Sequence, residues 1–270
     1  MEQILHTVIE AGLEAPVRIL HLTDAHMTFT DESDPPEQVE LEKERWHTFH
    51  REGCCPPHDP AWYFEEGIRI AEQLGAVLVC GGDFMDIQTS GNSRAFHRIA
   101  DGHDMMFTPG GHEQQKRCVR TMEEPEGYWK RARRRLAGML PGHDLDFESR
   151  IVGGLNIVAA DNSLDYYSEA TVQAFRRELE RGLPMVVFGH DPINDPLLNA
   201  WEQTGYADPL TRRDYRISHE MLDLIQDSPQ VKAFIGGHAH REEAGFLRSG
   251  NPFYTTPGLF AGICRLIEVR

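Results

Sequence analysis

The stretch Phe234-Ile235-Gly236-Gly237-His238-Ala239-His240 decides how this chain is interpreted. The apolar run from Val231 to Ile235 predicts a buried strand, and the two glycines after it end that strand abruptly. Open α/β folds keep their binding sites at such strand ends, on the carboxyl edge of a sheet. One residue separates His238 from His240, so both imidazoles point to nearly the same side of an extended segment. The pair predicts half of a site for zinc, manganese or iron.

Four other strand ends carry metal-capable side chains in similar settings. Short apolar strands are predicted over residues 17–22, 76–80, 105–108 and 184–188, with a glycine or small residue at most of the breaks. The polar side chains that follow these strands are Asp24 with His26, Asp83, His112 and His190. Any one of them alone is better explained as a helix cap or a structural histidine. Together, in matching contexts, they indicate one shared site.

Composition and charge exclude several classes of protein. The formal net charge of -16 argues against a general nucleic-acid surface or an anionic-membrane surface. No apolar stretch approaches the ~20 residues of a membrane helix, and residues 1–15 lack the basic start of a signal peptide. The five cysteines fit a reducing cytoplasm better than a disulfide framework. We therefore expect a cytoplasmic protein without a membrane or nucleic-acid partner.

Helical patterns alternate with the predicted strands. Helices are predicted over residues 60–74, 93–100, 170–181 and 215–226, and a polar helical region is predicted from His112 to Leu140. Residues 151–159 predict a strand or a hairpin, and residues 1–15 a short helix or a hairpin. The tail from Gly245 to Val269 is typical of antiparallel strands.

Two irregular segments interrupt this alternation. Residues 27–59 are acidic and then rich in Pro, His and Cys, with a plausible helix from Pro36 to Phe49. Residues 193–214 are rich in Asn, Asp and Pro. Long irregular segments inside a regular fold are commonly functional, so we interpret both as insertions over the site that act as a lid or select the substrate.

The order of motifs D-x-H, GGD, GGHE, GH and GGHAH resembles the calcineurin-like metallophosphoesterase family. The resemblance extends from Ile19 to His240. It implies one domain over residues 1–270 with an α/β fold, a four-layer α/β/β/α sandwich of two mixed β-sheets flanked by helices. It also implies a hydrolase that acts on ester bonds of a small phosphorylated substrate.

The resemblance further implies a binuclear metal site. The implied ligands are Asp24, His26 and His240 for the first metal, Asp83 as the bridge, and His190 and His238 for the second metal. A water between two metals loses a proton near neutral pH and becomes the nucleophile. His112 resembles the general acid of the family, aimed at the leaving oxygen. Asp86 either orients His112 or caps a helix.

One position departs from the family pattern. The family has an asparagine before the catalytic histidine, and this chain has Gly111. Either a water or another residue such as Asn162 replaces the missing amide oxygen, or the second metal site is weak. The alternative to an enzyme is thus a pseudoenzyme that binds metal or a phosphorylated ligand, and a third reading is a metallohydrolase of a non-phosphorus ester. The intact His112 favours the enzyme.

The motif around Asp86 bears on the substrate. Ser/Thr protein phosphatases usually carry Asp-Arg-Gly there, whereas Ile87-Gln88 follow Asp86 in this chain. The resemblance is therefore closer to the branches that hydrolyse small phosphodiesters or nucleotides.

Two further clusters have competing explanations. The side chains of His47, His50, Cys54, Cys55 and His58 have spacings that permit a separate zinc site, although Cys-Cys-Pro-Pro equally predicts a tight turn. The run from Arg131 to Arg135 predicts a solvated helix face, with attraction of a substrate phosphate as the alternative.

Overall fold

Two β-sheets lie face to face, and helices cover their outer sides. The computed structural model describes residues 1–51, 57–114, 125–164, 166–194 and 215–270, and the structural statements below concern those residues. The strands are β1 (Gln3–Ile9), β2 (Val17–Leu22), β3 (Val77–Cys80), β4 (Met105–Phe107), β5 (Phe147–Val152), β6 (Leu155–Ala160), β7 (Met185–Phe188), β8 (Val231–Gly236), β9 (Glu243–Phe246), β10 (Pro252–Thr255) and β11 (Ile263–Val269).

The two sheets are both mixed. The first has the order β1-β11-β2-β3-β4, and the second has the order β5-β6-β7-β8-β10-β9. Strands β2, β3 and β4 run parallel in the first sheet, as do β6, β7 and β8 in the second. Because parallel strands end at the same edge, the loops after these six strands meet along one side of the sandwich.

The helices begin and end near the predicted positions. They are α1 (Pro36–Arg51), α2 (Pro60–Leu74), α3 (Ser90–Ala100), α4 (Gly111–Gln114), α5 (Pro125–Met139), α6 (Glu169–Glu180) and α7 (Tyr215–Asp227), followed by a short 3-10 helix (Leu259–Ala261). Helix α2 has a capping residue at each end, and such residues mark helix boundaries in a sequence. The side chain of Asp59 accepts a hydrogen bond from the Trp62 N–H, and Gly75 ends the helix at φ 58°.

Three buried apolar clusters define the layers. Ile19, Val79, Ile157 and Ile235 belong to the cluster between the two sheets. A second cluster packs α2 and α3 on the outer face of the first sheet, and a third packs α6 and α7 on the outer face of the second. The predicted four-layer α/β/β/α sandwich is confirmed.

Of the two predictions for the ends of the chain, the first was wrong and the second was confirmed in part, since β9 with β10 and β11 with β2 are antiparallel. Residues 1–15 contain neither a helix nor a hairpin. They contain β1, which pairs in parallel with β11 at the opposite end of the chain. In the tail, β9 and β10 are antiparallel, but β10 also pairs in parallel with β8 and β11 crosses into the first sheet. Local periodicity identifies a strand and carries no information about a partner so distant along the chain.

Other predictions were refined. Residues 147–160 form a hairpin, with β5 and β6 antiparallel around Gly153-Gly154. The polar region after His112 contains α4 and α5, and residues 115–124 lie outside the described part of the chain. Most of the second predicted insertion, residues 195–214, also lies outside it.

Candidate metal centre

Backbone strain is concentrated where the metal ligands were predicted. Within the described residues, the non-glycine residues with positive φ are Asp24 (56°), His26 (47°), Asp83 (53°), His238 (63°) and His240 (54°). All five are predicted metal ligands. Side chains other than glycine rarely occupy this left-handed region, and such conformations persist at functional sites where the surrounding structure enforces them. The sequence alone carries no sign of this clustering.

The predicted ligands of the first metal converge. The Nε2 atoms of His26 and His240 lie 3.0 Å apart. The Oδ1 atom of Asp24 lies 3.2 Å from His240 Nε2 and 3.7 Å from His26 Nε2. Donor atoms about 2.1 Å from one cation are separated by roughly 3.0–3.5 Å, so this triangle has the size of a metal half-site.

The predicted ligands of the second metal also converge. Donor atoms of Asp83, His190 and His238 lie within 4.8 Å of one another. The Oδ2 atom of Asp83 lies 3.0 Å from His190 Nε2 and 3.9 Å from His26 Nε2. Asp83 therefore lies between the two groups of donor atoms.

The arrangement of the donor atoms suits bound metal ions better than it suits hydrogen bonds among the side chains themselves. Among the described residues, Asp24 Oδ1 and His190 Nε2 are buried and make no hydrogen bond. The other polar atoms of these side chains are satisfied, since His190 Nδ1 donates to the Gly81 carbonyl at 2.8 Å. Asp24 Oδ2 accepts from Thr23 Oγ1 at 2.6 Å and from the His238 N–H at 2.9 Å. Ligands held through their outer atoms with inner atoms left over are typical of metal sites.

Asp86 contacts both histidines beside the first half-site. Its Oδ1 atom accepts a hydrogen bond from His26 Nδ1 at 2.9 Å and lies 3.3 Å from His112 Nδ1. The Asp86 carbonyl oxygen accepts from His112 Nδ1 at 2.7 Å. This contact fixes a proton on Nδ1 and leaves Nε2 of His112 for other partners. Asp86 does not cap a helix here, because Thr89 is the N-cap of α3.

Charges across the site shift the ionisation of its groups. Burial alone raises the pKa of Asp83, but the positive charges of His190 and His112 hold it well below its usual range. Burial likewise opposes protonation of His112, but the carboxylates of Asp83 and Asp86 raise its pKa to about 10. His112 is therefore an imidazolium at neutral pH in the metal-free chain, the form that can donate a proton.

Glu113 organises the loop that carries Asp83. Its carboxylate, fully buried, accepts hydrogen bonds from the backbone N–H groups of Asp83, Phe84, Met85 and Gly110 at 2.5–3.0 Å. The Asp83 side chain in turn accepts from the His112 N–H at 2.7 Å. Glu113 is the last residue of the GGHE motif, and the motif does not reveal this role, because a carboxylate beside a histidine has many uses.

Helix α1 supplies two contacts that sequence analysis missed. Arg45 forms a two-point salt bridge with Asp86, Nε to Oδ2 at 2.6 Å and Nη2 to Oδ1 at 2.9 Å. The Phe49 ring stacks on the His26 ring with centroids 4.3 Å apart and an interplanar angle of 21°. The sequence predicted this helix over the site, but nothing in it marked these two side chains.

Asn162 is not placed as a substitute for the missing family asparagine. Its Oδ1 accepts from the backbone N–H groups of His190 and Asp191 at 2.8 and 2.9 Å. Its amide nitrogen donates to the Asp191 carbonyl at 2.9 Å. Both ends of the amide are thus engaged in bracing the loop after β7. Gly111, at the start of α4, has no positive φ, so its backbone accommodates a side chain.

The two further clusters are described to different extents. Cys54, Cys55 and the side chain of His50 lie outside the described residues, and the zinc site there stays a prediction. Within the arginine run, Arg133 binds Asp161 at 3.0 Å and Asp146 at 2.7 Å. Arg135 donates to the Gln88 carbonyl at 2.7 Å. These two arginines tie α5 to its neighbours instead of forming a fully solvated face.

Comparison with known proteins agrees with this geometry. A family model described as calcineurin-like phosphoesterase matches residues 17–242. The chain belongs to the calcineurin-like phosphoesterase family. It is therefore a metal-dependent hydrolase of phosphoester bonds, and the family typically uses two metal ions. No curated protein matches the chain.

Solved structures share the calcineurin-like fold at low identity. A dimetal phosphatase from Danio rerio is 14% identical with a TM-score of 0.54, covering 91% of this chain and 88% of its own. A 5'-nucleotidase from Candida albicans is 12% identical with a TM-score of 0.48, covering 96% of this chain and 47% of its own. The first likeness supports the fold. Across the described residues, no helix is both long and apolar enough to cross a membrane.

Proposed function

We propose that this calcineurin-like phosphoesterase hydrolyses small phosphodiesters or nucleotides at a two-metal centre. Asp24, His26 and His240 would hold the first cation, His190 and His238 the second, and Asp83 would contact both. The observation that carries the proposal is the position of Asp83 Oδ2, 3.0 Å from His190 Nε2 and 3.9 Å from His26 Nε2. Imidazole and carboxylate donors favour manganese, iron or zinc over magnesium and calcium.

The residues of the chain divide the remaining work. When bound, the cations supply Lewis-acid polarisation of the phosphoryl group and the attacking water. His112 donates a proton from Nε2 to the leaving oxygen, while its Nδ1 stays hydrogen-bonded to the Asp86 carbonyl. The side chain of His112 is 15% exposed, so part of the ring is accessible from outside the protein.

The helix that covers the site supports the proposed substrate class. Helix α1 belongs to the inserted segment 27–59, and its Phe49 side chain is 6% exposed against His26. A helix over the metal centre narrows access, which favours small esters over the surface of a folded phosphoprotein. We propose that this insertion, together with residues 193–214, selects the substrate.

The test is hydrolysis of bis-p-nitrophenyl phosphate by Mn²⁺-loaded protein, compared with p-nitrophenyl phosphate and with a phosphoprotein. We expect the diester to be turned over faster than the phosphoprotein. Phosphate or vanadate should inhibit turnover of the diester. His26→Ala, prepared alongside, should lose this turnover. His26→Asn is a second variant for the same control, because asparagine tolerates the left-handed backbone conformation at this position.

Three outcomes would change the conclusion. Folded, metal-loaded protein without turnover would favour a pseudoenzyme with a crippled second site. Hydrolysis of carboxylic esters that is insensitive to vanadate would favour a different metallohydrolase. A preference for the phosphoprotein would remove the small-diester assignment while leaving the phosphoesterase chemistry intact.

A further inference from the structure

Helix α1 touches the first metal half-site at two points, one turn apart on the helix. Arg45 binds Asp86, and Phe49 stacks on His26. The guanidinium carbon of Arg45 lies 5.0 Å from the centroid of the Phe49 ring, so the two contacts are also joined to each other. A helix that only covered the site would not need to contact the predicted metal ligand and its hydrogen-bond partner directly.

The carboxylate of Asp86 is the node of this arrangement. The side chain is completely buried, and its Oδ1 accepts from both His26 Nδ1 and Arg45 Nη2. Its Oδ2 accepts from Arg45 Nε at 2.6 Å. A two-point guanidinium contact fixes the plane of a carboxylate as well as its charge. Arg45 therefore sets the direction in which Oδ1 faces His26.

The orientation of His26 depends on this node. A ring bound through Nε2 to a cation is oriented by what its Nδ1 contacts. In this chain the Nδ1 contact is Asp86, and one face of the ring is held by Phe49. Both supports lead back to α1, which lies in a segment outside the regular strand-loop motifs of the fold.

We infer that Arg45 is a positioning residue for the first metal: through Asp86 it aligns His26, so that the inserted helix α1 is part of the metal centre. The inference rests on the proposed function, in which His26 is a ligand of the first metal. Its chemistry is a charge-assisted, two-point hydrogen bond that a lysine cannot reproduce.

The experiment measures Mn²⁺ affinity without substrate, by competition with a chromogenic chelator, for wild type, Arg45→Ala and Arg45→Lys. We expect Arg45→Ala to weaken one of the two Mn²⁺ sites by about 10–100-fold, the usual range for loss of a residue that orients a ligand. Arg45→Lys should recover less than half of the loss on a logarithmic scale. Millimolar guanidinium should restore Arg45→Ala, since the side chain is 24% exposed and its space is reachable, whereas ammonium should not.

Lys43→Ala is the matched control on the same helix. Lys43 pairs with Glu40, and both side chains are more than 60% exposed, so its loss removes one positive charge without touching the site. Its Mn²⁺ affinity should equal that of wild type. Thermal unfolding of each variant checks that the chain is folded.

Several results would overturn the inference. Unchanged Mn²⁺ affinity in Arg45→Ala would do so, as would a rise in KM alone, which would make Arg45 a substrate contact. Weakened affinity that guanidinium does not restore, together with a lower Tm, would mean a structural role only. If wild type binds Mn²⁺ and hydrolyses no phosphoester, the proposed function fails, yet the affinities still decide the role of Arg45.

Discussion

The two halves of the metal centre are anchored by different parts of the chain. In the second half, His190 donates from Nδ1 to the Gly81 carbonyl, and Asn162 holds its backbone N–H, so the supports are the loops of the sheets themselves. In the first half, His26 depends on Asp86 and Phe49, and Asp86 depends on Arg45. One half is therefore supported by the loops of the sheets, and the other is completed by helix α1.

This difference separates what the sequence could reveal from what it could not. Strand ends with glycine breaks located Asp83, His190 and His238, because the fold determines where such residues go. The supports of the first half come from a segment whose pattern predicts a helix and nothing about its contacts. We expect variants of the two halves to differ in the same way.

The largest effect should come from the residue that belongs to both halves. Asp83→Asn removes the negative charge between the two half-sites and should lower kcat by about 1,000-fold or more. Asparagine tolerates the left-handed backbone at this position, and its Oδ1 can still accept from the His112 N–H. Metal content by elemental analysis should fall at both sites.

The comparison would break if Asp83→Asn kept one site fully occupied. In that case the carboxylate belongs to one half alone. Thermal unfolding of the metal-free forms is the control for folding, and wild type and variant should unfold at similar temperatures.

A smaller effect of opposite sign is expected at Gly111. Gly111→Asn adds an amide oxygen one residue before His112, whose N–H donates to Asp83, at a position whose backbone is compatible with a side chain. We expect the second-site Mn²⁺ affinity to rise by about 10-fold, comparable with the effect of a supporting residue, while the first site stays unchanged. Isothermal titration with Mn²⁺ distinguishes the two sites if their affinities differ.

The Gly111 variant sharpens the comparison in either direction. A tighter second site would show that the main-chain supports of that half do not compensate for the missing amide. Unchanged affinity with full occupancy in wild type would mean that the half built on the fold is complete as it stands. The Arg45 variants ask the corresponding question of the first half.

The parts of the fold that are encoded by local sequence signals could be predicted, and the contacts between distant residues could not. Buried strands and the glycine breaks after them are encoded within a few residues, and the strands predicted from these signals were confirmed. The pairing of β1 with β11 was missed because it joins residues more than 250 positions apart. The contact of Arg45 with Asp86 was missed because it joins two different segments, 41 positions apart, and local periodicity says nothing about such pairs. The left-handed φ values of the ligands arise only when all the loops meet.

The last prediction concerns stability instead of metal binding or activity, namely the cost of helix α1 to the folded state. Glu42 of α1 is 1% exposed and accepts from Asn92 Nδ2 at 2.6 Å. Burial, and then the nearby carboxylate of Asp86, raise the pKa of Glu42 to about 9, above its ordinary value of 4.5. Between these two pH values the unfolded chain releases a proton that the folded chain keeps. The Glu42 contribution to stability is therefore lost progressively as pH rises from about 4.5 to about 9.

Glu42→Gln removes this ionisation and keeps an oxygen that can accept from Asn92. The free energy of unfolding should exceed that of wild type by about 4 kcal/mol at pH 8 and should approach it near pH 5, as urea titrations at both pH values can measure. Glu37→Gln, at an exposed position of the same helix, should follow wild type at both pH values. Equal pH dependence in wild type and Glu42→Gln would remove the cost assigned to Glu42. A gain in stability with unchanged Mn²⁺ affinity would show that α1 supports the first half-site through Arg45 and Phe49, independently of the buried carboxyl beside them.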